Sequence, residues 1–296
     1  MLQAFLLPML PVILIAALGA ILSRQTDWLN NPALGTLVTN IGLPALLIHS
    51  LLKMQIDLGG MGQLLAAMAS ALTLIALVTW LLLWLTHLPV RDYLSVLTNP
   101  NTGNLGIPVV YALLGEQALA PAVVISSVVT VSHFTLGVSV MSGRFKPREM
   151  LRNMPAIALL VSALLIGFQI ELPAFAMRTL DLLGGFTLPV MLLLLGRSLG
   201  NLRLGHSTRW GRLLAMALYR PVVGALVAFL VTRLFGMAPL ESLTLMIQCA
   251  MPTAVISYIL ATRYQGPVDD IAALIILSLP FSLATVALLN ILFSPV

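Results

Sequence analysis

The 296-residue sequence has few charged residues and a single cysteine. Charged residues make up 8% of the chain, against about 25% in soluble globular domains. This scarcity, together with 59% hydrophobic residues, excludes a soluble enzyme, a nucleic-acid-binding domain and a disordered protein. Cys249 cannot form an internal disulfide or a cysteine metal site by itself. The composition instead predicts a membrane protein that crosses the bilayer several times.

Ten apolar stretches are suited to cross a bilayer as helices, at about 20 residues per span. They lie at roughly 3–23, 33–52, 63–86, 93–115, 119–142, 154–170, 175–199, 212–236, 239–263 and 268–293. The apolar run from Met1 to Leu22 is interpreted as the first span. The stretches do not alternate apolar and polar residues as barrel strands do. We therefore predict an all-α membrane protein with ten transmembrane helices.

Basic residues are distributed unevenly between the two sides of the predicted membrane. With the N-terminus on side one, side two carries eleven Lys and Arg residues and side one carries three. Side two holds Arg24, Arg91, Arg144, Lys146, Arg148, Arg152, Arg197, Arg203, Arg209, Arg212 and Arg263, and side one holds Lys53, Arg178 and Arg233. Because cytoplasmic loops are enriched in Lys and Arg, side two is predicted to be cytoplasmic and both termini to lie outside.

The two halves of the chain share a pattern of prolines, seen when the sequence is shifted by about 145 residues. The coinciding pairs are Pro11 with Pro155, Pro44 with Pro189, and Pro108 with Pro252. We interpret this as two five-helix repeats, residues 1–143 and 144–296. An odd number of spans per repeat inverts the second copy relative to the first, as in many secondary transporters.

The fourth stretch contains NPNTGNLGIP, which combines helix-breaking and polar residues near its middle. Its prolines and glycines, Gly106 and Pro108 among them, remove or weaken backbone hydrogen bonds. The amides of Asn99, Asn101 and Asn104 are costly in a lipid-facing helix, which favours a helix that faces protein or a water-filled cavity. A surface loop that divides the span is the alternative. We predict a helix broken at the membrane midplane.

The ninth stretch carries a matching QCAMPT segment with Gln248, Pro252 and Thr253. Proline suits the first turn of a helix, so Pro108 and Pro252 are predicted to start two half-helices that meet from opposite sides. Helix N-termini carry about half a positive charge and unpaired N–H groups, which favour a carboxylate. Gln248 and the fourth-span asparagines are predicted to donate hydrogen bonds to it; for Gln248, a hydrogen bond between packed helices is the alternative. The predicted substrate-binding residues are Asn101, Thr102, Asn104, Gly106, Pro108, Gln248, Pro252 and Thr253.

The segment NPNTGNLGIPVV, with MPTAVISYILATRY in the second half, resembles the auxin efflux carrier family, which includes plant auxin exporters and bacterial malonate or malate permeases. The resemblance covers essentially the whole chain. It implies a scaffold of spans one, two, six and seven, and a transport domain of spans three to five and eight to ten that holds the crossing of spans four and nine. It also implies organic-anion transport across a bacterial inner membrane, with Pro108, Pro252 and Asn101 or Asn104 contacting the substrate carboxylate.

The coupling ion is left open by the sequence. All ten acidic residues lie in or near predicted loops, which disfavours a sodium–proton antiporter with paired mid-membrane carboxylates. His133, near the middle of the fifth span, is either a proton carrier or a hydrogen-bonded structural histidine. Backbone carbonyls at the helix breaks are able to bind Na⁺. Arg220, in the eighth span, is expected to extend toward the cytoplasmic interface, with an attractive field for anions as the alternative.

These features predict a secondary transporter or facilitator of small organic anions that works by alternating access, without covalent chemistry, a cofactor or a metal ion. A sodium-coupled carrier resembling the bile-acid symporters and a non-transporting membrane sensor are the alternatives. An intramembrane enzyme is disfavoured because the sequence has neither an HExxH motif nor a mid-membrane Asp pair. The expected partners are the anion, H⁺ or Na⁺, and the lipid bilayer, with no nucleic acid. A homodimer is left open.

Overall fold

Helices make up nearly all of the computed structural model, which describes residues 2–53, 58–143, 154–202 and 210–293. They are α1 (Leu2–Gln25), α2 (Pro32–Leu37), α3 (Leu43–Lys53), α4 (Leu58–Leu85), α5 (Val90–Thr98), α6 (Ile107–Leu114), α7 (Leu119–Ser132), α8 (Val138–Ser142), α9 (Met154–Gly167), α10 (Ala174–Gly185), α11 (Thr187–Asn201), α12 (Trp210–Phe235), α13 (Pro239–Cys249), α14 (Val255–Arg263) and α15 (Val268–Phe293). Wider π-helical turns at Val38–Gly42, Thr102–Gly106 and His133–Gly137 lead into α3, α6 and α8. Within these ranges no strand forms, and the predicted all-α class is confirmed.

Among the described residues, seven helical stretches are long and apolar enough to cross a membrane, as expected of a multi-pass membrane protein. They are Leu6–Gln25, Pro32–Lys53, Gly59–Leu85, Glu116–Ser142, Ala174–Asn201, Trp210–Phe235 and Val268–Phe293. Thr102–Leu114 and Ile157–Gly167 are shorter apolar helices. These seven coincide with seven of the predicted spans, because a long apolar run in hydrocarbon must satisfy its backbone groups internally. The predicted fourth and ninth spans are discontinuous.

Two groups of helices can be distinguished by their packing. In the first group, α1 lies along α11, and α3 lies against α9 and α10. In the second group, α12 packs against α15, α13 and α4, and α4 packs against α5 and α7. The groups meet where α6 contacts α1 and where the turn Thr102–Gly106 contacts α11. The interrupted fourth span therefore lies at the junction between the groups.

Small residues allow α1 and α11 to approach each other closely. A Cβ added at Gly196 would lie 1.8 Å from the backbone oxygen of Ala16. One added at Gly19 would lie 2.2 Å from the backbone oxygen of Leu193. In lipid, no hydrophobic force draws helices together, so association depends on such close backbone packing. This contact joins the two longest helices of the first group.

Polar contacts connect the helices of the second group to one another at the end predicted to be cytoplasmic. Arg212 Nη2 lies 3.1 Å from Asp270 Oδ2, and the Tyr93 hydroxyl donates to the same carboxylate. Arg91 donates to the backbone oxygens of Met141 and Tyr264, at 3.1 Å each. Six of the basic residues behind the orientation prediction lie outside the described residues: Arg144, Lys146, Arg148, Arg152, Arg203 and Arg209.

Candidate functional site

The fourth span is interrupted at the segment that the sequence singled out. Helix α5 ends at Thr98, and Asn99 adopts an extended backbone conformation. Helical structure resumes with the π-turn at Thr102 and continues through α6 to Leu114. Pro100, which has no N–H to donate, lies in the gap. The predicted interruption of this span is confirmed.

The ninth span is interrupted in a similar way. Helix α13 ends at Cys249, and α14 begins at Val255 after the extended residue Ala254. Met251, Pro252 and Thr253 lie in the gap and are buried. The second predicted interruption is therefore also confirmed.

The two interruptions lie side by side and are joined through their backbones. Pro100 and Thr253 form an isolated antiparallel β-bridge. The N–H of Asn101 donates to the backbone oxygen of Pro252 over 2.9 Å. Thr253 N–H donates to the Ser278 hydroxyl of α15 over 3.1 Å. Backbone groups freed by each broken helix are thus satisfied by the other break and by a neighbouring helix, as membrane burial requires. We call residues 99–101 and 250–254 the crossover.

Pro108 lies in the first turn of α6, as predicted, whereas Pro252 lies before α14, so the prediction that Pro252 starts a half-helix is wrong. The helical turn in the fourth span begins six residues before Pro108, and Gly106 N–H donates to Asn101 O in the wide register of a π-turn. A wide turn accommodates a proline without a clash in the following α-turn. Pro252 lies three residues before α14 because its carbonyl is engaged in the crossover. Asn101 and Ala254 are the residues that precede the two half-helices.

The three asparagines of the fourth span differ in the hydrogen bonds that their side-chain amides make. Asn99, which was not among the predicted binding residues, is fully buried and bonds to two serines. It donates to Ser95 Oγ over 3.1 Å and accepts from Ser132 Oγ over 2.7 Å. Asn101 is buried and Asn104 is half-buried, and neither side-chain amide takes part in the side-chain hydrogen bonds seen among the described residues. Asn101 and Asn104 therefore keep free donors beside the crossover.

Thr102 and Gln248 contact neighbouring helices within the site. Thr102 Oγ1 donates to Ser126 Oγ of α7 over 3.2 Å. Gln248 is fully buried, and its Nε2 lies 3.4 Å from the backbone oxygen of Ala122. Its Oε1 has no partner among the described residues and lies against Gly106, where a Cβ would come within 2.2 Å of it. Gln248 thus bonds between packed helices, and its predicted hydrogen bond to a substrate stays a prediction.

A cavity of about 500 Å³ lies between the two helix groups. It is lined from the first group by Pro11, His49, Asp181 and Pro189, and from the second by Pro108, Tyr111 and Glu116, among others. Of the predicted binding residues, Pro108 alone lines this cavity. The others lie around the crossover, deeper in the second group. Of the first-group residues named above, Pro11 and Pro189 had been singled out in the sequence as members of the proline pairs.

Charged side chains near the mouth of the cavity are paired. Lys53 Nζ lies 2.6 Å from Glu116 Oε1, and this contact connects the two helix groups. His49 Nδ1 lies 3.8 Å from Asp181 Oδ1. The Lys53–Glu116 pair is more than half exposed, so its contribution to stability is small. Its position at the end of α3 places it on the side predicted to face outside.

His133 and Arg220 are both buried inside the protein. His133 is buried in the π-turn His133–Gly137, its Nδ1 has no partner among the described residues, and it does not line the cavity. Arg220 is fully buried and donates from Nη1 to the backbone oxygen of Cys249 over 2.9 Å. The expectation that Arg220 extends to the interface is therefore wrong, because the end of α13 provides a nearer acceptor.

In the described ranges, no group of three or more His, Cys, Asp or Glu side chains is positioned to hold a metal ion. The site consists instead of backbone N–H groups at two helix starts, amide side chains and hydroxyl groups. These hydrogen-bond donors are suited to bind an anion directly, without a metal ion.

Comparison with known proteins shows similarity to membrane transporters. Residues 4–155 and 138–290 match a family model described as membrane transport protein. The chain is 30% identical over 197 residues to an uncharacterized transporter of Methanocaldococcus jannaschii. That alignment covers 64% of this chain and 63% of the relative, so the chain spans a little under two thirds of the length of the relative it matches.

Proposed function

Because this chain belongs to the auxin efflux carrier family of membrane transport proteins, we propose that it is a secondary transporter of small organic anions. The substrate class is carboxylates, held at the crossover and moved by alternating access. The observation that carries this proposal is the junction of two interrupted helices, with Asn101 N–H bonded to Pro252 O and free amides beside it. Interrupted helices that meet inside a membrane are typical of transporter binding sites.

The complete architecture belongs to the same proposal. We infer ten spans in two inverted five-helix repeats, residues 1–143 and 144–296, with spans four and nine as corresponding broken helices. The division into a scaffold of spans one, two, six and seven and a transport domain of the other spans is supported by the two packing groups. We place the protein in a bacterial inner membrane with both termini outside, on the basis of the basic-residue distribution.

A carboxylate fits the crossover for electrostatic reasons. The helix that starts at Thr102 and α14 each present unpaired first-turn N–H groups and the positive end of a helix dipole. Asn101 and Asn104 add side-chain amide donors at and beside the crossover. Each hydrogen bond to an ionised carboxylate is worth about 1.5–3 kcal/mol. Neutralisation of Glu116 by Lys53 reduces repulsion of an anion that enters the cavity.

The position of the cavity supports alternating access. The cavity lies between the two helix groups and extends from the Lys53 end to Pro108. Displacement of the second group along the first would carry the crossover away from this opening, at the cost of the exposed Lys53–Glu116 contact. The cavity is the proposed route between the outside and the site.

The proposal predicts exchange of carboxylates by purified protein in liposomes. We expect a thermal-shift screen of mono- and dicarboxylates, including malonate and malate, to identify a ligand that raises the melting temperature. Liposomes preloaded with that ligand should then accumulate the labelled ligand by counterflow. Stabilisation without counterflow would indicate a sensor, and strong stimulation of uptake by Na⁺ would favour the bile-acid-symporter-like alternative. Neither stabilisation nor counterflow with any carboxylate would contradict the proposal.

His133 is proposed to have a structural role. We expect His133→Gln to leave the response of carboxylate uptake to an imposed proton gradient unchanged, because the ring is buried and does not line the cavity. The matched variant is His49→Gln, which alters a histidine that lines the cavity. Uptake with and without the gradient measures the effect. If His133→Gln alone abolished the response, His133 would be a proton carrier after all.

A further inference from the structure

Arg220 is a fully buried cation in the middle of α12, ten residues after the helix begins. Its Nη1 donates to the backbone oxygen of Cys249, the last residue of α13. Gly224 makes this approach sterically accessible: a Cβ there would lie 2.6 Å from Arg220 Nη1 and 2.0 Å from Cys249 O. The guanidinium is therefore seated at the end of the first half of the ninth span.

Two backbone carbonyl groups at the end of α13, those of Cys249 and Ala250, each accept a side-chain hydrogen bond. Cys249 O accepts from Arg220, and Ala250 O accepts from the Ser282 hydroxyl over 2.6 Å. The last carbonyls of a helix carry a partial negative charge that attracts cations. In transporters with interrupted helices, such unwound carbonyls and C-terminal helix ends are where Na⁺ is coordinated. Here a side chain of the protein supplies the positive charge at that position.

Arg220 has no carboxylate partner within the described parts of the chain. Its Nε and Nη2 have no hydrogen-bond acceptor there, and the two ion pairs between an Arg or Lys and a carboxylate involve other residues. A buried cation without a counter-ion is costly in a membrane, and intramembrane charges usually have a function. The partial negative charge at the end of α13 compensates for part of the positive charge of Arg220. The uncompensated part raises the electrostatic potential at the crossover.

We propose that Arg220 is a tethered cation which occupies the place of a coupling Na⁺ at the break of the ninth span, so that transport does not depend on Na⁺. The transport consequence rests on the proposed function, whereas the occupation of the helix end does not. The positive charge remains in the second helix group throughout the cycle. It favours an anion at the crossover without the binding of a metal cation.

The first test measures thermal stability of the purified protein without substrate, in NaCl, KCl and choline chloride at equal concentration. We expect the wild-type melting temperature to be the same in all three salts. Arg220→Met should melt several degrees lower in KCl and recover part of the difference in NaCl alone, because the Cys249 carbonyl that Arg220 vacates is then available to bind Na⁺. Arg233→Met, which removes an exposed arginine stacked on Phe229, is the matched control and should show no Na⁺ effect.

Two results would overturn the proposal: specific stabilisation of the wild type by Na⁺, or an Arg220→Met variant whose stability does not respond to Na⁺. If Arg220→Met cannot be purified, Arg220→Lys, which keeps the charge, should retain wild-type indifference to Na⁺, and a Na⁺ response would count against the proposal. In liposomes, wild-type carboxylate uptake should change less than twofold when choline replaces Na⁺. Failure to transport any carboxylate would contradict the proposed function and leave the stability result intact.

Discussion

Substitution of Asn104 by alanine is expected to weaken carboxylate binding by roughly ten- to a hundredfold, without loss of the fold. Asn104 lies in the turn that begins the second half of the fourth span, and its amide has no partner among the described residues. An amide free to donate to an ionised carboxylate contributes about 1.5–3 kcal/mol, which corresponds to that range of affinity. Because the amide makes no described bond within the protein, its removal should leave the melting temperature of the ligand-free protein unchanged.

Ligand-dependent thermal shift and counterflow measure this effect on the same preparation. Gln117→Ala is the matched control, since it also removes an amide but from an exposed side chain at the outer end of the fold. Asn99→Ala provides a contrast: it breaks the bonds to Ser95 and Ser132 and should lower the melting temperature itself. Wild-type affinity in Asn104→Ala would remove Asn104 from the binding site.

Gly196→Val is expected to have the largest effect on the fold. Its Cβ would lie 1.8 Å from the backbone oxygen of Ala16 and 2.8 Å from the backbone nitrogen of Ala20. Backbone atoms cannot rotate away as a side chain does, so α1 and α11 would have to separate. Overpacking costs about 1–3 kcal/mol or more. We expect a melting temperature lower by roughly 5–10 °C, or loss of monodisperse protein.

The control for this variant is Gly62→Val. Gly62 also lies within a helix, α4, but an added Cβ there meets no atom within 4 Å. Both variants introduce the same β-branched residue, so the difference between them isolates the close approach of α1 and α11. Size-exclusion profiles and melting curves in detergent are the measurement. Equal stability of the two variants would show that the α1–α11 contact is looser than described.

Local composition was sufficient to predict the interruptions in spans four and nine, but not the manner in which the helices resume. Proline chemistry suggested that Pro108 and Pro252 each start a half-helix, and Pro108 does lie in the first turn of α6. However, a π-turn that begins at Thr102 precedes α6, and Pro252 lies outside α14, where its carbonyl accepts from the Asn101 N–H. That bond joins residues far apart in the chain, so no local rule could predict it.

Asn99 and Arg220 show the same limit for side chains. Both were visible in the sequence as polar residues inside apolar spans, which marks them as costly and in need of partners. Which partners they find depends on neighbouring helices: Ser132 on α7 for Asn99 and the end of α13 for Arg220. A long arginine was expected to reach the interface, but a backbone carbonyl 2.9 Å away satisfies it inside the protein.

The sequence by itself determined that this protein is helical, lies in a membrane and has two interrupted spans, because those properties follow from the length of apolar runs and from the missing hydrogen bonds of proline. Tertiary structure alone decided that the interruptions touch through Asn101 and Pro252, that a cavity reaches Pro108, and that Arg220 is seated on Cys249. The physical reason is that helix propensity and hydrophobicity act over a few neighbouring residues, whereas the pairing of freed backbone groups depends on which helices pack together.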